Sequence, residues 1–181
     1  MKKVIFLDRD GTLIREPHDF RIDSLSKLSF LPGVIGALKR LSDAGYAFVI
    51  VSNQDGLGKE YSWESFNVPH EKMLEIFEGE GVRFWKVLID THYAAENHPE
   101  RKPNIGLVQP FLDEVDVQKS WMVGDRKTDA VFAKNLGVRS ITVKDPLSND
   151  GDVRITEALP EFETVRYTTW AEVEAHILRF G

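Results

Sequence analysis

Val4-Ile5-Phe6-Leu7-Asp8-Arg9-Asp10-Gly11-Thr12 is the stretch that decides the fold. An apolar run opened by two β-branched residues stops abruptly at a carboxylate, and a second carboxylate and a glycine follow. A short apolar run without polar alternation reads as a strand covered on both faces, as in a parallel sheet. Its carboxyl end then delivers Asp8 and Asp10 into the crevice where open parallel sheets bind ligands. Two like charges so close are costly unless a cation, a proton or chemistry offsets them.

Working outward, strand-like runs at 47–51, 87–89, 121–123 and 140–143 join the first one. Between them, Val34, Leu38 and Leu41 share a helical face, with Gly45 placed as a C-terminal cap. Met73, Ile76 and Phe77 form a second stripe; Ile105, Val108, Leu112 and Val115 form a third, which Pro110 should kink or shorten. A short helix is expected over 129–136, stopped by Gly137, and Thr169-Trp170-Ala171-Glu172 fits a capping box opening a last helix. This alternation predicts an α/β fold, a Rossmann-like three-layer sandwich around a central, mostly parallel sheet. The connections 15–31 and 90–103 are long and polar, and such loops at the carboxyl end of a sheet carry specificity. Residues 145–163 are weakly patterned and read as surface loop with short elements.

A length of 181 residues sets the expectation of one domain spanning 1–181. The net charge of −6, with both signs interspersed, argues against nonspecific nucleic-acid binding. No apolar run reaches membrane-spanning length, and Met1-Lys2-Lys3 leads into a strand without a signal-peptide core. The absence of cysteine excludes disulfides and thiolate metal sites. The expectation is a soluble cytoplasmic protein, monomeric or a small homo-oligomer, without nucleic-acid or membrane partners.

Further strand ends supply chemistry. Val49-Ile50-Val51 runs into Ser52 and Asn53, Arg101-Lys102-Pro103 puts cations before an expected helix start, and Trp121-Met122-Val123-Gly124 ends at Asp125, with Asp129 one helical turn on. Each has a plainer structural reading: an Asp after a strand is often a helix cap, Ser-Asn is turn chemistry, and Arg-Lys is usually solvated. Their joint occurrence at neighbouring strand ends favours catalysis. A carboxylate attacking phosphorus gives an acyl phosphate and splits one hard hydrolysis into two easier steps. Asp8, at the end of the rigid strand, is the expected nucleophile. Asp10 is the expected acid and base, its pKa raised by crowding from Asp8 and Asp125. A Mg²⁺ ion would screen the carboxylate from the phosphate, with Asp125 completing its shell and Asp129 orienting it. Lys102, Ser52 and the backbone of Asn53 are expected to hold the transferring oxygens.

Asp8-x-Asp10-Gly11-Thr12, Ser52, Lys102 and Gly124-Asp125-x₃-Asp129 together resemble the four motifs of the haloacid dehalogenase superfamily. Asp8-Arg9-Asp10-Gly11-Thr12-Leu13-Ile14, Glu16-Pro17, Asp19-Phe20, Asn53-Gln54-Asp55-Gly56-Leu57-Gly58, Pro69-His70 and Arg101-Lys102-Pro103 look like the histidinol-phosphate phosphatase domain, over about residues 3–140. The resemblance implies a fold without a large cap domain and Mg²⁺ on Asp8, the Asp10 carbonyl and Asp125. It also implies hydrolysis of histidinol phosphate in histidine biosynthesis, with Arg101 and Lys102 among the substrate-binding residues.

Three departures stand out. The family loop carries zinc as Cys-x-His-x₅-Cys-x-Cys; here Asp90-x-His92-x₅-His98-x-Glu100 fills the same spacing, so zinc is possible but a metal-free loop is favoured. Arg21 places a cation where a neutral residue is common, which would favour a more acidic substrate. The connection after Glu16 is about one residue shorter than expected. His70 is expected to cap or pack and His18 to sit idle in its loop. Trp63, Phe66, Phe84 and Trp85 read as core or loop anchors, and Asp55-Gly56-Leu57-Gly58 is too short and acidic for a Walker loop. The sequence therefore predicts a Mg²⁺-dependent phosphomonoesterase acting on a small phosphate ester, first of all histidinol phosphate. A sugar phosphatase, such as one acting on heptose bisphosphate, is the alternative within the class; a noncatalytic interaction protein that kept the fold is the alternative outside it.

Overall fold

The computed structural model describes residues 1–145 and 164–181. Val4–Leu7 forms β1, and its four residues are fully buried, as a strand sandwiched by helices requires. It lies inside a six-stranded sheet with β2 (Ala47–Asn53), β3 (Phe84–Asp90), β4 (Trp121–Gly124), β5 (Arg139–Val143) and β6 (Thr164–Tyr167). The order is β3-β2-β1-β4-β5-β6, and every pairing is parallel. The chain winds one way from β1 to β3 and the other way from β4 to β6. The carboxyl end of β1 is thus the switch point, flanked by the ends of β2 and β4.

Alternate residues of the central strands feed two cores. Ile5, Leu7, Phe48 and Ile50 pack with helices α1 (Val34–Asp43), α2 (Trp63–Gly79) and α4 (Trp170–Phe180) on one face. Val4, Phe6, Val49 and Val51 pack on the other with Phe132, Ala133 and Leu136 of α3 (Lys127–Leu136) and with Val108, Phe111 and Val115. This is the three-layer α/β sandwich that the strand–helix alternation predicts. α3 ends at Gly137 in the left-handed region, and Thr169 caps α4 through a capping box with Glu172. Trp170, at the start of α4, is buried and donates its indole N–H to the Thr12 carbonyl at 2.9 Å, tying the last helix to the first motif.

Some expectations need correction. The third stripe is no α-helix: Gln109–Glu114 is a 3₁₀ segment kinked at Phe111, because Pro110 fills its first turn and cannot donate to a preceding one. Strand β6 gave no periodic signal and was not expected. β3 is longer than the 87–89 run; as an edge strand it is only half-buried, so polar positions interrupt it. The loop expected over 145–163 lies, beyond Asp145, outside the described residues.

Candidate active site

Asp8 follows β1 directly, and its backbone N–H donates to the Val123 carbonyl at 3.0 Å, which ties it to β4. Ser52 and Asn53 close β2, and Asp125 follows β4. Lys102 is set by a reciprocal clasp: the Asn53 amide donates to the Lys102 carbonyl and accepts from the Lys102 N–H, both at 3.0 Å. That clasp turns the Lys102 side chain inward, where its ammonium lies 2.7 Å from Asp8 Oδ1 and 2.7 Å from Asp129 Oδ1. Burial opposes its charge, but Asp129 and Asp8 outweigh it and hold the ammonium above its ordinary pKa.

Asp8, Asp125 and Asp129 each present a carboxylate oxygen within 4.8 Å of the others. Burial first, then the charges of Asp8 and Asp129, push the Asp125 carboxyl well above the ordinary range. Asp129 is also raised, by burial, although Lys102 offsets part of the effect. Its oxygens are engaged, Oδ1 by Lys102 and Oδ2 by the Arg126 N–H at 3.0 Å, which suits an orienting residue. Asp125 Oδ1, by contrast, is buried without a hydrogen-bond donor. A set of crowded carboxylates with one orphaned oxygen fits a hard divalent cation such as Mg²⁺. Gly11, at φ +77°, packs so closely on Asp125 that a Cβ there would overlap its carboxylate, and a Cβ at Gly124 would overlap Asp129.

Asp10 departs from expectation. Its side chain is not in the carboxylate cluster; Oδ1 takes a hydrogen bond from Arg9 Nη1 at 2.8 Å, and Oδ2 takes one from Gln54 at 2.8 Å. The carboxylates that crowd one another are those of Asp8, Asp125 and Asp129. Arg9 is fully buried, its guanidinium 4.6 Å from the Phe66 ring centroid, and Phe66 stacks on His70 at 5.0 Å. Burial and the Arg9 charge lower the His70 pKa to about 4.

A cleft of about 590 Å³ opens over this cluster, lined by Asp8, Asp10, Ser52, Asn53, Arg101 and Lys102, and at its mouth by Phe20, Arg21, Glu60, Tyr61 and Arg126. All the expected side chains except Asp125 line it; Asp125 adjoins it through Asp8. Three arginines that line it are paired with carboxylates. Arg21 pairs with Glu60, which also accepts from Tyr93 at 2.9 Å; Arg101 pairs with Asp55; and Arg126 pairs with Glu16. The Arg21–Glu60 pair is exposed and screened by water, so it ties the guanidinium only weakly. Gln54, Arg9, Glu16 and Arg126 received no role from sequence reasoning. Their only signal was position, beside or within the motifs.

In the loop after β3, three of the four candidate zinc donors gather. Asp90, His92 and His98 lie within 4.8 Å of one another, while Glu100 is exposed and outside the group. Asp90 Oδ1 pairs with His92 Nδ1 at 2.7 Å, its Oδ2 accepts from the His92 N–H at 3.1 Å, and the two imidazoles stack 3.5 Å apart. The protein thus engages both Asp90 oxygens itself, and the donors fit a metal only in part.

Comparison with known proteins follows the same line. Residues 3–145 match the family model described as polynucleotide kinase 3 phosphatase. The chain is 52% identical over 147 residues to the histidine biosynthesis bifunctional protein HisB of Xanthomonas campestris, covering 80% of this chain but 39% of that protein. It thus spans about two fifths of the length of such relatives. Among solved structures, D,D-heptose 1,7-bisphosphate phosphatase from B. bronchiseptica, in complex with magnesium and phosphate, superposes with a TM-score of 0.84 at 26% identity, covering 99% of each chain. The corresponding enzyme from Burkholderia thailandensis gives 0.63 at 26% identity, covering 99% of this chain and 98% of its own.

Proposed function

This chain belongs to the polynucleotide kinase 3 phosphatase family, within the haloacid dehalogenase superfamily, and from that premise we propose that it is a Mg²⁺-dependent phosphomonoesterase with Asp8 as nucleophile. The observation that carries the reading is Lys102 Nζ lying 2.7 Å from Asp8, beside the gathered carboxylates of Asp125 and Asp129. An ion held by Asp8, Asp125 and the Asp10 carbonyl would screen the repulsion between the nucleophile and a phosphate dianion.

The chain's own groups perform the rest. Lys102 and Ser52 grip the phosphoryl oxygens. Asp8 attacks phosphorus as the bond to the ester oxygen breaks, and the Asp10 carboxyl gives that oxygen its proton. Asp10 then takes a proton from water, the resulting hydroxide attacks phosphorus, and phosphate leaves with Asp8 restored. Asn53 keeps Lys102 in place through its backbone, and Arg101 ties the mouth through Asp55.

Histidinol phosphate is the first substrate, supported by the HisB relatives. A sugar phosphatase is the second reading, favoured by the structural match to heptose bisphosphate phosphatases. We read residues 1–181 as one domain acting on small esters in the cytoplasm, with no nucleic-acid or membrane partner and as a monomer or small homo-oligomer. Among the described residues no helix is long and apolar enough to cross a membrane. The loop from Asp90 to Glu100 is taken to hold without zinc, because Asp90 is satisfied by His92. A phosphate-release screen comparing histidinol phosphate with heptose and other sugar bisphosphates, with and without Mg²⁺, tests the reading. Release from histidinol phosphate above all supports it; no release from any ester would leave only the noncatalytic alternative.

A further inference from the structure

Behind Asp10 lies a buried amide. Gln54 is 3% exposed, and its Nε2 donates to Asp10 Oδ2 and to Ser52 Oγ, both at 2.8 Å. Its Oε1 accepts from the Tyr61 hydroxyl at 2.9 Å. With Arg9 on the other side, each Asp10 oxygen has a fixed donor, so the carboxyl plane is held from both edges. A carboxylate offers about four lone-pair sites, so two fixed donors leave others free to carry the mobile proton.

A primary amide has two nearly isosteric orientations. Flipped, Gln54 would set its oxygen against the Asp10 carboxylate. The Asp10 carboxylate, which only accepts, selects the orientation that turns Nε2 toward it, and the Tyr61 hydroxyl satisfies Oε1 on the far side. Burial, with Asp10 and Asp55 adding to it, pushes the Tyr61 hydroxyl up to about 12. The Tyr61 ring in turn sits 5.3 Å from the Arg21 guanidinium at the mouth.

We propose that Gln54, braced by Tyr61, is a positioning residue that aims the Asp10 carboxyl at the leaving oxygen. This rests on Asp10 being the general acid, as argued above. The transfer it serves moves one proton from Asp10 to the ester oxygen while the bond from that oxygen to phosphorus breaks and the bond from Asp8 forms.

The test compares kcat/KM on an alkyl ester, histidinol phosphate, and on p-nitrophenyl phosphate, whose phenolate leaves without needing a proton. A general acid contributes roughly 10²–10⁴-fold, so Asp10→Asn should lower the alkyl-to-aryl ratio by about a hundredfold or more. Loss of one or two positioning hydrogen bonds should lower that ratio by about tenfold in Gln54→Leu and about threefold in Tyr61→Phe, the latter keeping its ring and the packing around it. If Asp10→Asn is selective but Gln54→Leu and Tyr61→Phe slow both esters alike, Gln54 is merely structural and the proposal fails. If Asp10→Asn also slows both alike, Asp10 is not the acid, and the underlying reading falls with it.

Discussion

The Lys102 ammonium is paired with the Asp8 carboxylate at 2.7 Å, inside the protein and before any substrate arrives. The side chain that is to grip phosphate thus already neutralises the nucleophile, and shares itself equally with Asp129. Removing one partner of a buried pair leaves an uncompensated charge, which costs about 3–5 kcal/mol. Lys102→Met should therefore lose both turnover and, by urea unfolding, a few kcal/mol of stability. An equally stable variant would show that the pair is not formed in solution.

Asp125 should lower the stability of the metal-free protein. Its carboxyl is held above the ordinary value of 3.8 by burial and by its acidic neighbours. The folded state therefore binds more protons than the unfolded one over the window that opens above 3.8, and stability falls as pH rises through it. Asp125→Asn should raise metal-free thermal stability at neutral pH. In the wild type, Mg²⁺ at a hundred times its Kd should restore about 2.7 kcal/mol, and the variant should lack most of that response. A less stable variant that keeps the full Mg²⁺ response would contradict this account.

His70 makes the opposite contribution. Its pKa of about 4 lies below the ordinary 6.5, so between these values the unfolded state binds more protons and stability is lost as pH falls. At one pKa unit per 1.36 kcal/mol, the full loss is about 3 kcal/mol. His70→Phe, which keeps the stack on Phe66, should flatten this limb of the stability–pH curve. An unchanged limb would mean that other groups govern acid unfolding.

Gly11→Ala should act through Asp125. The glycine sits at φ +77° against that carboxylate, so a methyl group must push it aside. A displacement of about 1 Å can cost roughly 10²-fold in rate, and activity should fall by about that much, with weaker Mg²⁺ activation. Full activity would show that Asp125 need not stay where it is.

Chelation should spare the loop after β3. With His92 holding both Asp90 oxygens, overnight treatment with a zinc chelator should leave the thermal midpoint in place. A midpoint lowered by several degrees, and recovered with zinc alone, would assign a structural ion to Asp90, His92 and His98.

The strands that carry the site were legible because their residues are apolar on both faces and end sharply in Asp8, Ser52 and Asp125. Around Ile105 the effect of Pro110 was legible as a kink or shortening, but not that it would reduce the segment to a 3₁₀ turn broken at Phe111. Side-chain partnerships were the least legible. Arg21 and Glu60, or Arg126 and Glu16, come from segments far apart in sequence, and only the fold shows that these cations meet carboxylates. Gln54 was visible as part of a motif, but its grip on Asp10 depends on how the chain turns after β2.

The most direct measurement is chemical trapping of the nucleophile. The protein is mixed with substrate and Mg²⁺, quenched, reduced with borohydride and digested for mass spectrometry. An acyl phosphate on Asp8 would be reduced to homoserine at that position, only in the presence of both substrate and Mg²⁺. Steady phosphate release with Asp8 left unmodified, or with the label on another residue, would contradict the account.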